Sequence, residues 1–210
     1  MVAPTKIIPG LGLSLDINIL QAPGATGDYR TLLTSKASAI ASALSAPLNA
    51  SPNVFVPGKD DKQDWQSGYD FGFLHIKAID DAGHEKATIF NVKGLECVDQ
   101  AIGQLAKLLW HVESTGQFHY AICVTGDHST PVEYGDHRFE PVPFAICWLR
   151  DFVSAVGGNP ALDEISLDPF RLPTIKSKED LSEHFSTSEG VSWTVPGGEM
   201  MEIVKSFLKL

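Results

Sequence analysis

The clearest pattern in the chain is the spacing of its apolar residues, which repeats every three or four positions in several segments. The longest of these contains Ile89, Val92, Leu95, Val98, Ile102, Leu105 and Leu109. This spacing puts the apolar side chains on one face and predicts a helix of about 20 residues. A second helix is predicted over residues 32–44, and a short one from Met200 to Leu208.

Four other segments predict strands. Residues 14–20 alternate apolar and polar side chains, which is typical of a half-buried strand. Residues 70–77, 119–125 and 142–148 are short apolar runs of the kind found in buried strands. Because strands and helices alternate along the chain, we expect an α/β fold with a mostly parallel sheet flanked by helices.

Two long segments lack apolar periodicity. Residues 46–69 are rich in Pro, Ser, Asn, Asp and Lys and are predicted to form an exposed loop. Residues 155–198 contain many Gly, Pro, Ser and charged residues and are predicted to wrap the core as irregular structure. A length of 210 residues with 43% hydrophobic content suits one substantial core, so residues 1–210 are expected to form a single domain.

The charge and the cysteines narrow the class of protein. Sixteen basic and 26 acidic residues give a net charge of −10, which argues against nucleic acid or an anionic membrane as a partner. The sequence contains no uninterrupted apolar run of ~18 residues that would predict a transmembrane helix, and no secretory leader is visible. Cys97, Cys123 and Cys147 are odd in number and far apart, as in reduced thiols, so we expect a cytoplasmic protein.

An adjacent acid–imidazole pair, Asp127 and His128, follows the apolar run that ends at residue 125. A carboxylate oxygen beside an imidazole nitrogen is a typical ligand pair for a divalent metal such as Mn²⁺, Zn²⁺ or Mg²⁺. Open α/β sheets bind ligands at the carboxyl ends of their strands, where this pair would lie. The alternative is a capped turn in which Asp127 is a helix N-cap.

A second acid–imidazole set follows the apolar run at residues 70–77. Asp80 and His84 are four residues apart, and His137 comes nine residues after His128. Two such sets at one sheet edge predict a two-metal site, and two ions about 3.5–4 Å apart suit phosphoryl transfer. The alternatives are a polar turn for Asp80 and His84 and a surface loop for His137.

Two basic residues are candidates for contact with an anionic substrate. Lys77 ends the predicted strand before Asp80, and Arg30 lies just after a Pro- and Gly-rich loop at the expected mouth of the site. A solvated lysine is the alternative for Lys77. Ser129 and Thr130 directly follow the Asp-His pair, but nothing supplies them with a base, so they are interpreted as capping residues and not as nucleophiles.

Several motifs resemble one known family. The sequence from Phe73 to His84 reads FLHIKAIDDAGH, and the sequence from Val124 to Pro143 contains VTGDHSTP, a second Asp-His pair and PVP. Residues 22–28 read APGATGD, and residues 196–199 give a looser match. Together they resemble the archaeal-type branch of the cofactor-independent phosphoglycerate mutases, two-metal enzymes of the alkaline phosphatase superfamily.

The resemblance implies how five candidate ligands divide between two ions. Asp80, His84 and His137 match the family's ligands for one metal, and Asp127 and His128 match ligands for the other. The family completes the second site with an N-terminal Asp and transfers the phosphoryl group through a nearby Ser. Neither has a match here, so we expect an alkaline-phosphatase-like core whose N-terminal part is missing.

The expected function is therefore the metal-binding portion of a mutase that interconverts 3-phosphoglycerate and 2-phosphoglycerate in glycolysis and gluconeogenesis. Without the serine nucleophile, the chain alone is expected to be inactive. We also expect it to self-associate or to need a complementing N-terminal portion, because strand edges and apolar helix faces would be left uncovered. The alternative function is a non-catalytic relic or partner subunit that retains one metal site.

Overall fold

The structure, a computed structural model, describes residues 1–46, 68–171 and 200–209. Within these residues the helices are α1 (Ile7–Ser14), α2 (Leu33–Leu44), α3 (Ala78–His84), α4 (Thr88–Glu113), α5 (Leu149–Ala155), α6 (Asn159–Glu164) and α7 (Met200–Leu208). The strands are β1 (Ala121–Thr125) and β2 (Phe144–Trp148). None of these helices is long and apolar enough to cross a membrane. The cytoplasmic location stays a prediction.

All three helices predicted from apolar spacing are present. α4 contains the whole predicted segment from Ile89 to Leu109 and extends it at both ends. α2 begins one residue after the predicted start, and α7 has the predicted bounds. Helical periodicity is a local signal, since the residues that form one face lie within a few turns of each other, and it located these helices correctly.

α4 supports the core because α2, α3, α5 and α6 all pack against it. One cluster of buried side chains, around Phe90, joins α3 to α4. A second, around Leu109 and Leu149, joins α4 to the start of α5, and a third, around Val2 and Ile40, joins α2 to the N-terminal segment. A helix as short as α3 is not stable by itself in water, so its position depends on the first cluster.

The sheet differs from the predicted one. β1 and β2 pair antiparallel, with Ala121 opposite Trp148 and Thr125 opposite Phe144. A mostly parallel sheet is therefore not confirmed for the part of the chain that the structure describes. Parallel neighbours need a crossover connection, which is usually a helix. The connection from β1 to β2 contains no helix, and the chain returns antiparallel.

The predicted strand at residues 14–20 is wrong. Ser14 is the last residue of α1, and Asp16 has a left-handed φ of 58° that stops the helix. The Ile17 N–H donates to the Gly12 carbonyl at 2.9 Å, which closes the helix end as in other C-terminal capping motifs. The local capping geometry, which the apolar alternation does not reveal, decides the conformation here.

The predicted strand at residues 70–77 is also wrong. Leu74 forms a single parallel bridge with Val2, in which Val2 N–H donates to the Phe73 carbonyl and His75 N–H to the Val2 carbonyl. The segment is not buried throughout, because Phe71 is 64% exposed. The third and fourth predicted strands are present as β1 and β2, each shorter at its start.

The two segments predicted to be irregular lie mostly outside the described residues. Residues 47–67 of the first and 172–198 of the second are not described, nor are residues 196–199 of the looser family match. Inside the second segment, residues 159–164 form α6. The loop, the irregular wrap and the single domain stay predictions.

Candidate metal centre

α3 positions two of the candidate ligands. Asp80 and His84 are four residues apart on this helix, so both side chains lie on one face. Ala78 and Ala82, on another face, are buried in the cluster around Phe90. The packed alanines therefore hold the helix in the orientation that presents Asp80 and His84 to the loop between the strands.

The connection from β1 to β2 brings the other three candidate ligands to the same place. Arg138 N–H donates to the Ser129 carbonyl at 2.9 Å, and this bridge folds the connection back on itself. As a result the rings of His128 and His137 have their centroids 3.7 Å apart. The centroid of the His84 ring, on α3, lies 4.9 Å from that of the His137 ring, in the loop. The loop and α3 are therefore in contact at these two rings.

Asp80, His84 and His137 form a convergent triad. The Nε2 atoms of His84 and His137 are 3.1 Å apart, and Asp80 Oδ1 lies 3.4 Å from the first and 3.9 Å from the second. Ligand atoms 2.0–2.1 Å from a tetrahedral zinc ion would lie roughly 3.3 Å from one another. The three atoms therefore have the separation of ligands around one ion, and this triad could hold a divalent metal.

The hydrogen bond of His84 sets which of its nitrogens is free. His84 Nδ1 lies 3.1 Å from the Gly135 carbonyl oxygen, and a carbonyl only accepts. The proton of neutral His84 is therefore on Nδ1, and Nε2 presents its lone pair to the triad. Metal-binding histidines commonly make this bond to a backbone carbonyl, so the donor set fits a metal.

Asp80 is held as an accepting carboxylate. Its Oδ1 accepts from the Thr130 hydroxyl at 2.7 Å and its Oδ2 from Lys77 Nζ at 3.1 Å. Burial by itself would raise the pKa of Asp80. The hydrogen bonds from Thr130 and Lys77, together with the charge of Lys77, outweigh burial and hold that pKa below its ordinary value.

Asp127 and His128 lie beside the triad as a separate pair. Asp127 Oδ2 is 3.4 Å from His128 Nε2, and Asp127 Oδ1 accepts from the His128 backbone N–H at 3.0 Å. Asp127 is largely exposed. Two side chains supply only half of a tetrahedral coordination shell, so a metal at this pair would need other ligands.

The two basic candidates lie in different places. Lys77 donates to both Asp80 and Asp81, and its hydrogen bonds to Asp81 and then Asp80 raise the pKa of Lys77 although burial opposes this. Lys77 therefore lies at the triad. Arg30 is 84% exposed and pairs with Asp28, whose pKa it lowers, so its visible contacts tie it to the loop before α2.

Sequence reasoning missed the part that Thr130 and two glycines play. Thr130 was interpreted as a capping residue, but its hydroxyl contacts Asp80 and His128. Gly83 leaves room for Thr130, since a Cβ there would lie 2.3 Å from the Thr130 carbonyl oxygen. Gly135 supplies the carbonyl that His84 contacts. A hydroxyl two residues after a candidate ligand was the only signal available for Thr130.

The geometry of the candidate metal site agrees with the proteins that this chain resembles. A profile described as the metalloenzyme superfamily matches residues 40–151, which include all five candidate ligands. The 2,3-bisphosphoglycerate-independent phosphoglycerate mutase of Saccharolobus islandicus (strain M.14.25 / Kamchatka #1) is 32% identical over 145 residues, which cover 69% of this chain and 28% of the relative. The enzyme of the same name from Methanosarcina acetivorans is 29% identical over 179 residues, 85% of this chain and 38% of that one.

A solved structure gives a similar result. The PH0037 protein from Pyrococcus horikoshii matches with a TM-score of 0.50 and 25% identity over 70% of this chain and 31% of that chain. This chain thus spans 28% and 38% of the two mutases and about as small a share of the solved structure. The resemblance to archaeal cofactor-independent phosphoglycerate mutases is confirmed. Because the family profile covers more than half of the sequence and the whole candidate site, the chain belongs to the metalloenzyme superfamily.

Proposed function

We propose that this chain supplies the metal-binding portion of a cofactor-independent phosphoglycerate mutase, which interconverts 3-phosphoglycerate and 2-phosphoglycerate. The observation that carries the proposal is the convergence of Asp80 Oδ1, His84 Nε2 and His137 Nε2 within 4.8 Å of one another. One carboxylate with two imidazoles suits Mn²⁺ or Zn²⁺ better than Mg²⁺, which prefers oxygen ligands. The relatives' names supply the substrate.

The residues of the triad prepare the site for an anionic substrate. A divalent ion bound there supplies positive charge that neutralises phosphoryl oxygens during transfer. Asp80 contributes an ionised carboxylate, and the Gly135 carbonyl keeps His84 in the form that can ligate. Lys77 adds a cation next to Asp80, where it would contact a phosphate oxygen. Asp127 and His128 are proposed as part of a second site that other groups complete.

Metal titration tests the site directly. Stripped protein should bind Mn²⁺ or Zn²⁺ in isothermal titration calorimetry, and Asp80→Asn should abolish binding at the triad. Asp81→Asn is the matched control, because Asp81 is the adjacent carboxylate on α3 and lies outside the triad. Equal losses in the two variants, or no binding by the wild type, would contradict the proposal.

A coupled assay tests the reaction. We propose that this chain supplies no counterpart of the family's phosphoserine and that, alone, it does not turn over 3-phosphoglycerate. Supplying the uncovered portion of a relative in trans should restore metal-dependent turnover. Robust turnover by this chain alone would refute this part of the proposal, and Ser129→Ala would then test the nearest hydroxyl.

A second candidate function is that of a partner subunit that retains the metal site. The observation that favours it is a stripe along α1, formed by Ile7, Leu11 and the residue just after the helix, Leu15, each of which is more than half exposed. Contiguous exposed apolar side chains commonly mark interfaces. Sedimentation velocity should show association that Leu11→Lys weakens and that Leu167→Lys, at an exposed leucine elsewhere, does not. A wild type that stays monomeric across the concentration range would count against this candidate.

A further inference from the structure

The Thr130 hydroxyl lies between the triad and the Asp127–His128 pair. Its Oγ1 is 2.7 Å from Asp80 Oδ1 and 3.1 Å from His128 Nδ1. A hydroxyl has one proton to donate, and an ionised carboxylate can only accept. The Thr130 proton is therefore directed to Asp80, and its oxygen is left to accept a hydrogen bond from His128.

This arrangement selects one form of His128. If Thr130 Oγ1 accepts, then His128 Nδ1 must carry the proton, and in the neutral ring Nε2 has a free lone pair. Nε2 lies 3.4 Å from Asp127 Oδ2, so the lone pair and the carboxylate can point at one ion. Without Thr130, the nearby Asp127 carboxylate would favour the opposite tautomer, with the proton on Nε2.

The backbone holds Thr130 in this position. The carbonyl and side chain of Thr130 pack directly against Gly83 of α3, where an added Cβ would meet Thr130 atoms at 2.3–2.9 Å. The preceding residue, Ser129, is held by the hydrogen bond from Arg138 N–H to its carbonyl. These contacts hold the backbone of Thr130 against α3, within hydrogen-bond reach of Asp80 and His128.

We propose that Thr130 is a positioning residue that prepares ligands in both metal sites: it orients Asp80 and fixes His128 as the Nδ1–H tautomer. The proposal rests on the proposed function only in taking the bound species to be a divalent metal ion. It does not need the ion to be bound, since the tautomer is a property of the metal-free protein.

The tautomer can be measured without metal. In metal-free protein at a pH where the histidines are neutral, long-range ¹H–¹⁵N correlation spectra should show His128 with its proton on Nδ1. Thr130→Val, which keeps the shape but removes the hydroxyl, should shift His128 to the Nε2–H form, and Thr130→Ser should restore the wild-type pattern. An Nε2–H form of His128 in the wild type, or an unchanged tautomer in Thr130→Val, would overturn the proposal.

Metal affinity gives the second readout. Loss of a group that orients a ligand typically weakens metal binding by about 10–100-fold, so Thr130→Val should bind Mn²⁺ or Zn²⁺ more weakly by that factor while Thr130→Ser stays close to wild type. Circular dichroism and thermal unfolding establish that both variants fold. A wild type that binds no metal but shows the Nδ1–H form would refute the proposed function and leave the role of Thr130 supported. Normal metal binding by Thr130→Val would refute that role alone.

Discussion

Replacement of Gly83 by alanine should damage the metal site more than it damages the fold. Gly83 lies in α3 between two ligand positions, and its missing side chain leaves the space that Thr130 occupies. An alanine Cβ there would lie 2.3 Å from the Thr130 carbonyl oxygen and 2.9 Å from its Cβ and Cγ2. Because the first of these is a backbone atom and the other two belong to a stiff β-branched side chain, the loop carrying Thr130 has to move away from α3.

The two effects on stability partly cancel. Alanine in place of a helical glycine ordinarily stabilises by about 1 kcal/mol. Overpacking of a well-packed site ordinarily costs roughly 1–3 kcal/mol. We therefore expect Gly83→Ala to lower the free energy of unfolding by no more than about 2 kcal/mol. Its metal affinity should fall by about 10–100-fold, because Asp80 and His128 lose the hydroxyl that orients them.

Urea unfolding and calorimetric metal titration measure the two effects separately. Gly10→Ala is the matched control, because Gly10 also lies in a helix and an added Cβ would have nothing within 4 Å. That variant should be stabilised by up to about 1 kcal/mol and should bind metal like the wild type. The reasoning would be refuted if Gly83→Ala were as stabilising as Gly10→Ala and kept its metal affinity.

Two further predictions concern buried polar groups away from the triad. Burial lowers the pKa of Lys36 to about 8, from 10.5 in the unfolded chain, and its Nζ contacts only the carbonyls of Thr26 and His75 among its described partners. Between these pH values the unfolded chain binds more protons, so the stability of wild type relative to Lys36→Met should rise by up to about 3 kcal/mol as pH increases through that window. Urea unfolding at several pH values tests this, and a constant difference would contradict it. Glu113 is buried and accepts the Tyr120 backbone N–H at 2.9 Å, so Glu113→Ala should cost about 1–3 kcal/mol in thermal or urea unfolding. Glu113→Gln keeps an acceptor and should cost less; the reverse order would show that this hydrogen bond is unimportant.

The helices could be predicted from the sequence because their signal is local. The apolar face of α4 repeats over many turns, and α7 shows the same spacing in a short segment. The sequence also indicated that Asp80 and His84 would act together, although it did not indicate that a helix carries them. An interval of four residues on a helix such as α3 brings two side chains together, whereas the sequence analysis placed Asp80 and His84 directly after a strand, with a polar turn as the alternative.

The direction of the sheet could not be predicted, because strand pairing depends on residues far apart in the chain. The apolar runs located β1 and β2 but did not specify which strand would pair with which, or in which direction. The loop between them carries three of the five candidate ligands and contains no crossover helix. A connection without a crossover helix favours antiparallel pairing. The sequence alone did not reveal this, because the convergence of the ligands in the loop was known only from the structure.

The type of each candidate ligand could be predicted from its chemistry, whereas its protonation could not. Asp80, His84 and His137 were proposed as ligands because carboxylates and imidazoles bind divalent metals. Whether an imidazole presents a lone pair depends on its other nitrogen, and for His84 that nitrogen contacts a carbonyl from Gly135, far along the chain. A glycine and a threonine thus decide whether the histidines can ligate, although neither type of residue binds metal through its side chain in the proposed site. A search for metal sites restricted to Asp, Glu, His and Cys would identify the donors here and would leave out the groups that make two of them competent.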